Sequence, residues 1–390
     1  MNKKAVIWMS LFSMLIFAIS SNLLGPSIEL IVSDFKIGLS TVSLLITFSY
    51  IGYIFSVILS GYFSDILGRK KVLVMGLVIL AAGLIGTIFF RDFYFLLIPI
   101  LLVGAGGGSV ECSVSSIIAD LNKDNLSRYL NLSQVFYCIG AFAAPFIVYT
   151  MYKNNLNWRA SYFFVGIILI PLIILLSYQR YDKDNLNFTG NFYVVKQILK
   201  NPKNILLCLT MVLYVGNESI IVNWISSYII RTYAGGILLS SISLSLFWVT
   251  MTIGRSVSSI IGNRIKSSKK VMVCSIISSI LMFCLNFSYN VYISILIISL
   301  SSFIFSGNFS DILVCMENEN KSMLGTAFGI IICCAGVGGM IFPALLGMLS
   351  ELFNLKVVFN VIPAILLLLT SSLMFIYFKQ SWNITRFYRF

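Results

Sequence analysis

A short charged segment reads Gly61-Tyr62-Phe63-Ser64-Asp65-Ile66-Leu67-Gly68-Arg69-Lys70-Lys71 and separates two long apolar runs. Each run is long enough for a helix that crosses a bilayer core of about 30 Å. The two glycines permit a tight turn and close approach of helices, and the Asp can interact with a helix end and with the basic cluster. The segment therefore predicts a cytoplasmic connection between two membrane helices, with candidate gating residues Gly61, Asp65, Gly68, Arg69 and Lys70. The alternative is a basic loop that only sets the membrane topology.

Apolar runs of this kind recur along the whole chain, in which 58% of the residues are hydrophobic and 11% are charged. Soluble domains carry about 25% charged residues, so a soluble globular protein is excluded. The runs are continuous and do not alternate with period two, which favours helices over a transmembrane barrel. We predict an all-α membrane protein with twelve transmembrane helices near residues 5–30, 41–62, 72–90, 93–119, 129–152, 160–179, 204–230, 238–262, 271–287, 290–314, 322–349 and 356–378.

The Lys and Arg residues are unequally divided between alternate loops. If the N-terminus is cytoplasmic, the outer segments keep only Lys36, Arg91, Lys153, Arg159, Arg231 and Lys356. This asymmetry follows the positive-inside rule and predicts a multi-pass protein of the cytoplasmic membrane with both termini in the cytoplasm. The basic residues form no patch interleaved with aromatic residues, so the expected partner is the lipid bilayer and not nucleic acid.

The chain also contains a degraded internal repeat. The pattern of residues 61–74 recurs at residues 262–273, about half a chain later, and the longest polar stretch lies between these two copies. We predict two six-helix pseudo-repeats, namely an N-terminal half at 1–180 and a C-terminal half at 204–390, joined by a cytoplasmic linker at 181–203. Two such halves are typical of a rocking transporter.

Residues 61–71 resemble the G-x-x-x-D-x-x-G-R-[RK]-x signature of the major facilitator superfamily. The span count, the central loop and the repeat extend this resemblance over the whole chain. It implies the major facilitator fold and transport of a small-molecule substrate by alternating access. The glycine-rich span-five signature of the antiport branches is mostly missing, because Gly140, Ala144 and Pro145 are followed by Phe146-Ile147-Val148-Tyr149.

Scattered residues of spans four, seven and eight resemble the sugar-uptake branch typified by the fucose:proton symporters. They are Gly104, Gly107, Gly108, Glu111, Tyr214, Gly216, Asn217, Glu218, Trp224, Tyr228, Phe247, Trp248, Gly254 and Arg255. Symporters of this branch carry an acidic residue in span one, where this chain has Asn22. The resemblance therefore implies sugar transport more directly than it implies proton coupling.

Two acidic residues, Glu111 and Glu218, fall inside predicted spans. A charge at the bilayer centre is unfavourable by about 3 kcal/mol, so both must face the protein interior. Glu111 shares its helix face with several glycines, where another helix or a solute can approach closely. We treat both carboxyls as candidate proton-coupling groups. The alternative for Glu111 is a protonated side chain that hydrogen-bonds between spans four and five and stabilises the fold.

Polar and aromatic residues line one third of the span-seven helix, and shorter stripes occur in spans five and eight. Amide and carboxylate groups beside aromatic faces suit a sugar-like solute. The candidate substrate-binding residues are Asn22, Asn131, Gln134, Tyr214, Asn217, Trp224, Tyr228, Trp248 and Thr252. For Trp224 and Tyr228 the alternative is an aromatic belt near the outer membrane surface.

Arg255 lies toward the cytoplasmic end of span eight. It is a candidate gating residue that pairs with Asp311 or with another carboxylate. The alternative is an arginine that extends its head group to the membrane surface.

We predict uptake of a sugar or a related polar solute, coupled to H⁺ or Na⁺. The chain has no Walker loop, no histidine and no metal-ligand spacing among its cysteines, so we expect no enzyme activity, no cofactor and no metal. The alternative is efflux of drugs or amphiphilic compounds by proton antiport. A third possibility is a transporter-like sensor that binds a solute without flux.

Overall fold

The computed structural model describes residues 3–121, 126–179, 196, 198–261, 265–320 and 324–387. Every regular element that these residues form is helical. The helices of the first part of the chain are α1 Lys3–Asn22, α2 Leu24–Phe35, α3 Leu39–Leu67, α4 Arg69–Gly86, α5 Phe93–Leu121, α6 Leu126–Lys153 and α7 Arg159–Tyr178. Those of the second part are α8 Pro202–Tyr233, α9 Ile237–Ile261, α10 Ser267–Cys284, α11 Val291–Phe305, α12 Asn308–Glu319, α13 Leu324–Leu352 and α14 Leu355–Phe387.

Within the described part of the chain, 11 helical stretches are long and apolar enough to cross a membrane. We count α4 as one further span, because the three basic residues of its first turn are followed by an uninterrupted apolar run. The predicted all-α architecture of twelve membrane spans is thereby confirmed.

Two spans that the sequence predicts as continuous helices are broken. The first is divided at Leu23 into α1 and α2, because Pro26 lacks the N–H that would bond the carbonyl of Asn22 in an unbroken helix. The tenth is divided at residues 306–307 into α11 and α12. A Cβ at Gly307 in this break would lie 2.7 Å from the Cβ of Ser258 on α9, so the packing is close at this position.

The packing divides the chain into two compact units. One comprises Met1–Phe188, Ile225–Ile230 and Gly236–Ser245, and the other comprises Thr189–Trp224, Arg231–Gly235 and Leu246–Phe390. In the first unit, α5 packs against α1, α3 and α4, while α4 also packs against α7. In the second unit, α10 packs against α11, α12 and α14. The helices α5 and α8, which carry the two predicted intramembrane acids, thus begin in different units.

The predicted division into 1–180, 181–203 and 204–390 stays a prediction. Most of the predicted linker lies outside the described residues, which resume at residue 196 and then at residue 198. Pro202 and Lys203, which the sequence assigns to the linker, already form the first turn of α8.

Candidate substrate and proton sites

Glu111 on α5 has a partner on another helix. Its Oε2 accepts a hydrogen bond of 2.7 Å from the hydroxyl of Tyr53 on α3. The side chain of Glu111 is half-buried. A tyrosine hydroxyl can donate to a carboxylate and accept from a carboxylic acid, so the pair can persist in both protonation states of Glu111. This arrangement suits a carboxyl that binds and releases a proton.

The contact between α3 and α5 depends on glycines. A Cβ at Gly104 would lie 2.7 Å from the carbonyl carbon of Ser49, and one at Gly108 would lie 2.6 Å from the carbonyl oxygen of Tyr53. The backbones of α3 and α5 therefore approach each other more closely than any residue with a Cβ at positions 104 and 108 would allow. The alternative prediction, in which Glu111 bonds between spans four and five, is wrong about the partner: the glycines bring span two, and with it Tyr53, against Glu111.

Glu218 on α8 faces Arg255 on α9. Oε1 of Glu218 lies 3.6 Å from Nη2 of Arg255, and the two side chains are 15% and 23% exposed. Charge-assisted hydrogen bonds measure about 2.7–2.9 Å. The distance between these two atoms is longer, so the pair interacts electrostatically without a direct hydrogen bond. Tyr214 lies one turn before Glu218, near both charged groups, and its buried ring packs edge-to-face on Phe305 at 5.9 Å.

Next to this ion pair are polar groups without hydrogen bonds. Asn217 is fully buried, and neither its Nδ2 nor its Oδ1 has a partner among the described residues. The hydroxyl of Tyr214 interacts with the side chains of Glu218 and Arg255. A buried polar group without a partner is unfavourable by about 1–3 kcal/mol. We call these four residues the α8–α9 polar cluster: Tyr214, Asn217, Glu218 and Arg255.

The other predicted ligands of α8 and α9 have different surroundings. Trp224 is fully buried and donates from Nε1 to the carbonyl of Pro343 on α13 at 3.0 Å, which makes it a contact between helices. Tyr228 is also fully buried, so neither residue forms an exposed aromatic belt. Trp248 is 2% exposed, and Thr252 donates to the Trp248 carbonyl of its own helix at 2.8 Å.

The remaining predicted ligands lie in the first part of the chain. Asn22 is buried at the end of α1, donates from Nδ2 to the Ala18 carbonyl at 2.9 Å, and keeps an Oδ1 without a partner among the described residues. Gln134 on α6 is exposed. The side chain of Asn131 lies outside the described residues.

The predicted gating segment joins α3 to α4 at Gly68, whose φ of 91° favours glycine. Arg69 donates to the carbonyl of Ser116 near the end of α5 at 2.5 Å, and Lys70 donates to the carbonyls of Ser177, at 2.8 Å, and Gln179 at the end of α7. The carbonyls of Ser177 and Gln179 lie at the helix end, where intrahelical partners are lacking, and a cation there opposes the negative end of the helix dipole. Gly61 and Asp65 belong to α3, but their side chains lie outside the described residues.

Of the two alternatives predicted for Arg255, the pairing with Asp311 is wrong and the pairing with another carboxylate is confirmed. Asp311 on α12 pairs with Lys270 on α10, with 2.6 Å between Oδ1 and Nζ, and the side chains are 7% and 12% exposed. The break before α12 and the packing of α12 on α10 direct Asp311 to this lysine. Arg255 instead faces Glu218, another carboxylate.

A second polar cluster, which the sequence does not predict, lies in the second unit. Glu319 on α12 accepts from Lys203 on α8 and from Tyr377 on α14, both at 3.1 Å. The amides of Asn204 and Asn320 exchange two hydrogen bonds of 3.0 and 2.9 Å. Lys203, Asn204, Glu319 and Asn320 lie at helix ends, where polar and charged side chains are ordinary, so only their contacts distinguish them. Tyr53 was missed because many tyrosines occur in the chain.

Comparison with known proteins identifies the family. The model of the Major Facilitator Superfamily matches residues 10–319. The chain belongs to this superfamily. It is a multi-pass membrane transporter, which confirms the family and the fold class expected from residues 61–71.

Curated relatives within the superfamily include a protein TsgA homolog of Buchnera aphidicola subsp. Baizongia pistaciae, 24% identical over 328 residues that make up 83% of each chain. The glucose/mannose transporter GlcP of Bacillus subtilis is 25% identical over 261 residues, which make up 64% of this chain and 63% of GlcP.

Two solved structures share the superfamily fold. The fucose:proton symporter FucP of E. coli aligns over 97% of this chain and 99% of its own with a TM-score of 0.68 and 16% identity. The nucleoside transporter NupG aligns over the same shares of both chains with a TM-score of 0.80 and 14% identity.

Proposed function

We propose that the protein takes up a neutral polar solute, a sugar or a sugar-like compound, across the cytoplasmic membrane by alternating access coupled to a cation gradient. The observation that carries this proposal is the α8–α9 polar cluster, in which an unpaired buried amide lies beside a separated ion pair. Both termini are cytoplasmic in this proposal, in accord with the distribution of Lys and Arg over the loops.

The charges of the cluster favour a neutral solute. Glu218 and Arg255 carry opposite charges, so a bound ion would leave one uncompensated charge in the membrane interior. A hydroxyl group can accept from a guanidinium and donate to a carboxylate at the same time, which suits groups that lie 3.6 Å apart. A solute with several hydroxyls can also pair with the Asn217 amide and the Tyr214 hydroxyl.

The two predicted proton-coupling acids take different roles in this proposal. Glu111 carries the coupling proton, because its described partner, Tyr53, is uncharged and can bond to it in either state. Glu218 has a guanidinium close by and serves as a fixed countercharge and solute ligand. The proposed coupling ion is therefore H⁺.

The relatives support the solute class. GlcP transports glucose and mannose, FucP transports fucose with protons, and NupG transports nucleosides. All of these solutes are neutral and hydroxylated. The rival proposal, efflux of amphiphilic compounds, gains no specific support from the α8–α9 polar cluster, because apolar cations would leave its hydrogen-bonding groups unused.

A thermal-shift panel on the purified protein tests the proposal, because a ligand that binds the folded state raises the apparent stability. The panel contains neutral monosaccharides, nucleosides, sugar acids and lipophilic cations. We expect one neutral class to raise the melting temperature of the wild type and of Asn223→Ala, but not of Asn217→Ala. Asn223 is a matched control because its amide donates at 2.8 Å to Ser219 of its own helix. Stabilisation by lipophilic cations alone would support efflux.

A further inference from the structure

The helices α8 and α13 lie side by side in a regular register. A Cβ at Gly338 on α13 would lie 2.8 Å from the carbonyl carbon of Val212 on α8. One turn further along both helices, a Cβ at Gly216 would lie 2.9 Å from Cγ and Cε2 of the Phe342 ring. Both pairs advance by four residues in the same direction, so the two helices are parallel and closely packed over these turns.

The same register, continued one turn backwards, places Cys208 on α8 opposite Cys334 on α13. The two thiols are close enough to interact electrostatically. Cys208 is 6% exposed, whereas Cys334 is half-buried. A disulfide requires Cα atoms about 4.4–6.8 Å apart with converging side chains, and the close approach of the two backbones at Gly338 and Val212, one turn away, favours such a separation.

We propose that Cys208 and Cys334 form a redox-reactive dithiol, which small disulfide compounds oxidise to an intramolecular disulfide between spans seven and eleven. This site goes beyond transport and does not depend on the identity of the solute. Cys333 is adjacent in sequence, but it lies about 100° further round the helix and outside this register.

The step is a thiol–disulfide exchange. The more accessible Cys334 loses its proton, and its sulfur attacks one sulfur of the reagent, which breaks the reagent's S–S bond and releases one small thiol. The sulfur of Cys208, which also loses its proton, then attacks the sulfur of Cys334 and releases the second small thiol. Two protons and two electrons pass from the protein to the reagent, and one S–S bond joins α8 to α13.

This disulfide would hold the start of α8 against α13 within the second unit. Asn217 and Glu218 lie on the same helix, between two and three turns beyond Cys208. The bond therefore links the helix that carries the α8–α9 polar cluster covalently to its neighbour.

Dipyridyl disulfide and the full-length purified protein provide the test. After treatment and alkylation of the remaining thiols, non-reducing digestion and mass spectrometry identify linked peptides. We expect a Cys208–Cys334 link that a reductant reverses, that is lost in Cys208→Ser and Cys334→Ser, and that persists in the matched control Cys333→Ser. Surface-exposed Cys284 serves as an internal control for reagent activity through its mixed disulfide.

Other outcomes would overturn the proposal. They are a mixed disulfide at Cys334 with Cys208 still free, a bond between Cys333 and Cys334, or no reaction at Cys334 while Cys284 reacts. Because the decisive comparison is between the wild type and Cys333→Ser, a folding defect in the Cys208 variant does not affect it. A failed solute screen would leave this result unchanged, so the two proposals fail independently.

Discussion

The hydroxyl of Tyr53 on α3 donates a hydrogen bond of 2.7 Å to the carboxylate of Glu111 on α5. The glycines of α5 make this contact possible, because Gly104 and Gly108 let the backbone of α3 approach. An acidic side chain with an uncharged partner inside a membrane helix can change its protonation without leaving a separated countercharge behind. Our proposal for proton coupling rests on this relationship.

Glu111→Gln separates coupling from solute movement. The amide can still accept the Tyr53 hydrogen bond but cannot carry a proton. In proteoliposomes, we expect the imposed proton gradient to drive no accumulation of solute above the level of passive equilibration. Exchange of labelled for unlabelled solute should persist. Tyr53→Phe is the control, since it removes the hydrogen bond but leaves the carboxyl. If gradient-driven accumulation survives in Glu111→Gln, the proton site lies elsewhere.

Arg255→Ala removes the positive charge that faces Glu218. A mostly buried carboxylate is then left without its nearby guanidinium. We expect destabilisation of roughly 1–3 kcal/mol, measured as a lower melting temperature in detergent, together with loss of solute binding. The double variant Glu218→Gln/Arg255→Gln should regain much of the melting temperature and still fail to bind. Equal melting temperatures for the single and double variants would contradict electrostatic compensation between these residues.

Lys70→Ala and Lys71→Ala form a matched pair in the gating segment. Lys70 donates to the carbonyls of Ser177 and Gln179 at the end of α7, whereas the neighbouring Lys71 is exposed. Loss of Lys70 leaves helix carbonyls without a cationic partner, so we expect a lower melting temperature and slower transport. Lys71→Ala should resemble the wild type in both assays. If both variants lowered the melting temperature and the transport rate equally, the effect would come from the loss of positive surface charge and not from the hydrogen bonds of Lys70.

Gly104→Ala tests the close approach of α3 and α5. The added Cβ would meet the backbone of Ser49, so overpacking should destabilise the protein by about 1–3 kcal/mol. Gly329→Ala on α13 is the control, because no atom lies within 4 Å of its added Cβ. There we expect a neutral effect or a gain of up to about 1 kcal/mol. The melting temperature should therefore fall with Gly104→Ala and stay unchanged or rise with Gly329→Ala; an equal fall in both variants would contradict the close approach at Gly104.

Much of the fold is predictable from the sequence, because membrane helices can be identified from the length and hydropathy of apolar runs. The two broken spans are less visible. Pro26 is a local signal for the break at Leu23, but no proline marks the break at residues 306–307, and the close approach of Ser258 on α9 to Gly307 is visible only in the structure. Such an approach is a property of packing, which one sequence does not reveal.

The candidate site is predictable in part. The high free energy of a charge in a membrane indicates that Glu111 and Glu218 face inward, but it does not name their partners. Those partners depend on the rotation of one helix against another, so Tyr53 was missed and Arg255 was assigned to Asp311 as well as to other carboxylates. Trp224 shows the same limit, because its contact with Pro343 lies more than a hundred residues away.

Uptake of the neutral solute selected by the thermal-shift panel is the most direct measurement of the central claim. Proteoliposomes containing the wild type, Asn217→Ala or Asn223→Ala receive labelled solute under an imposed proton gradient. We predict accumulation with the wild type and with Asn223→Ala, and a loss of at least tenfold with Asn217→Ala, which corresponds to about 1.4 kcal/mol of binding free energy. Equal accumulation by all three proteins would contradict a solute site at the α8–α9 polar cluster.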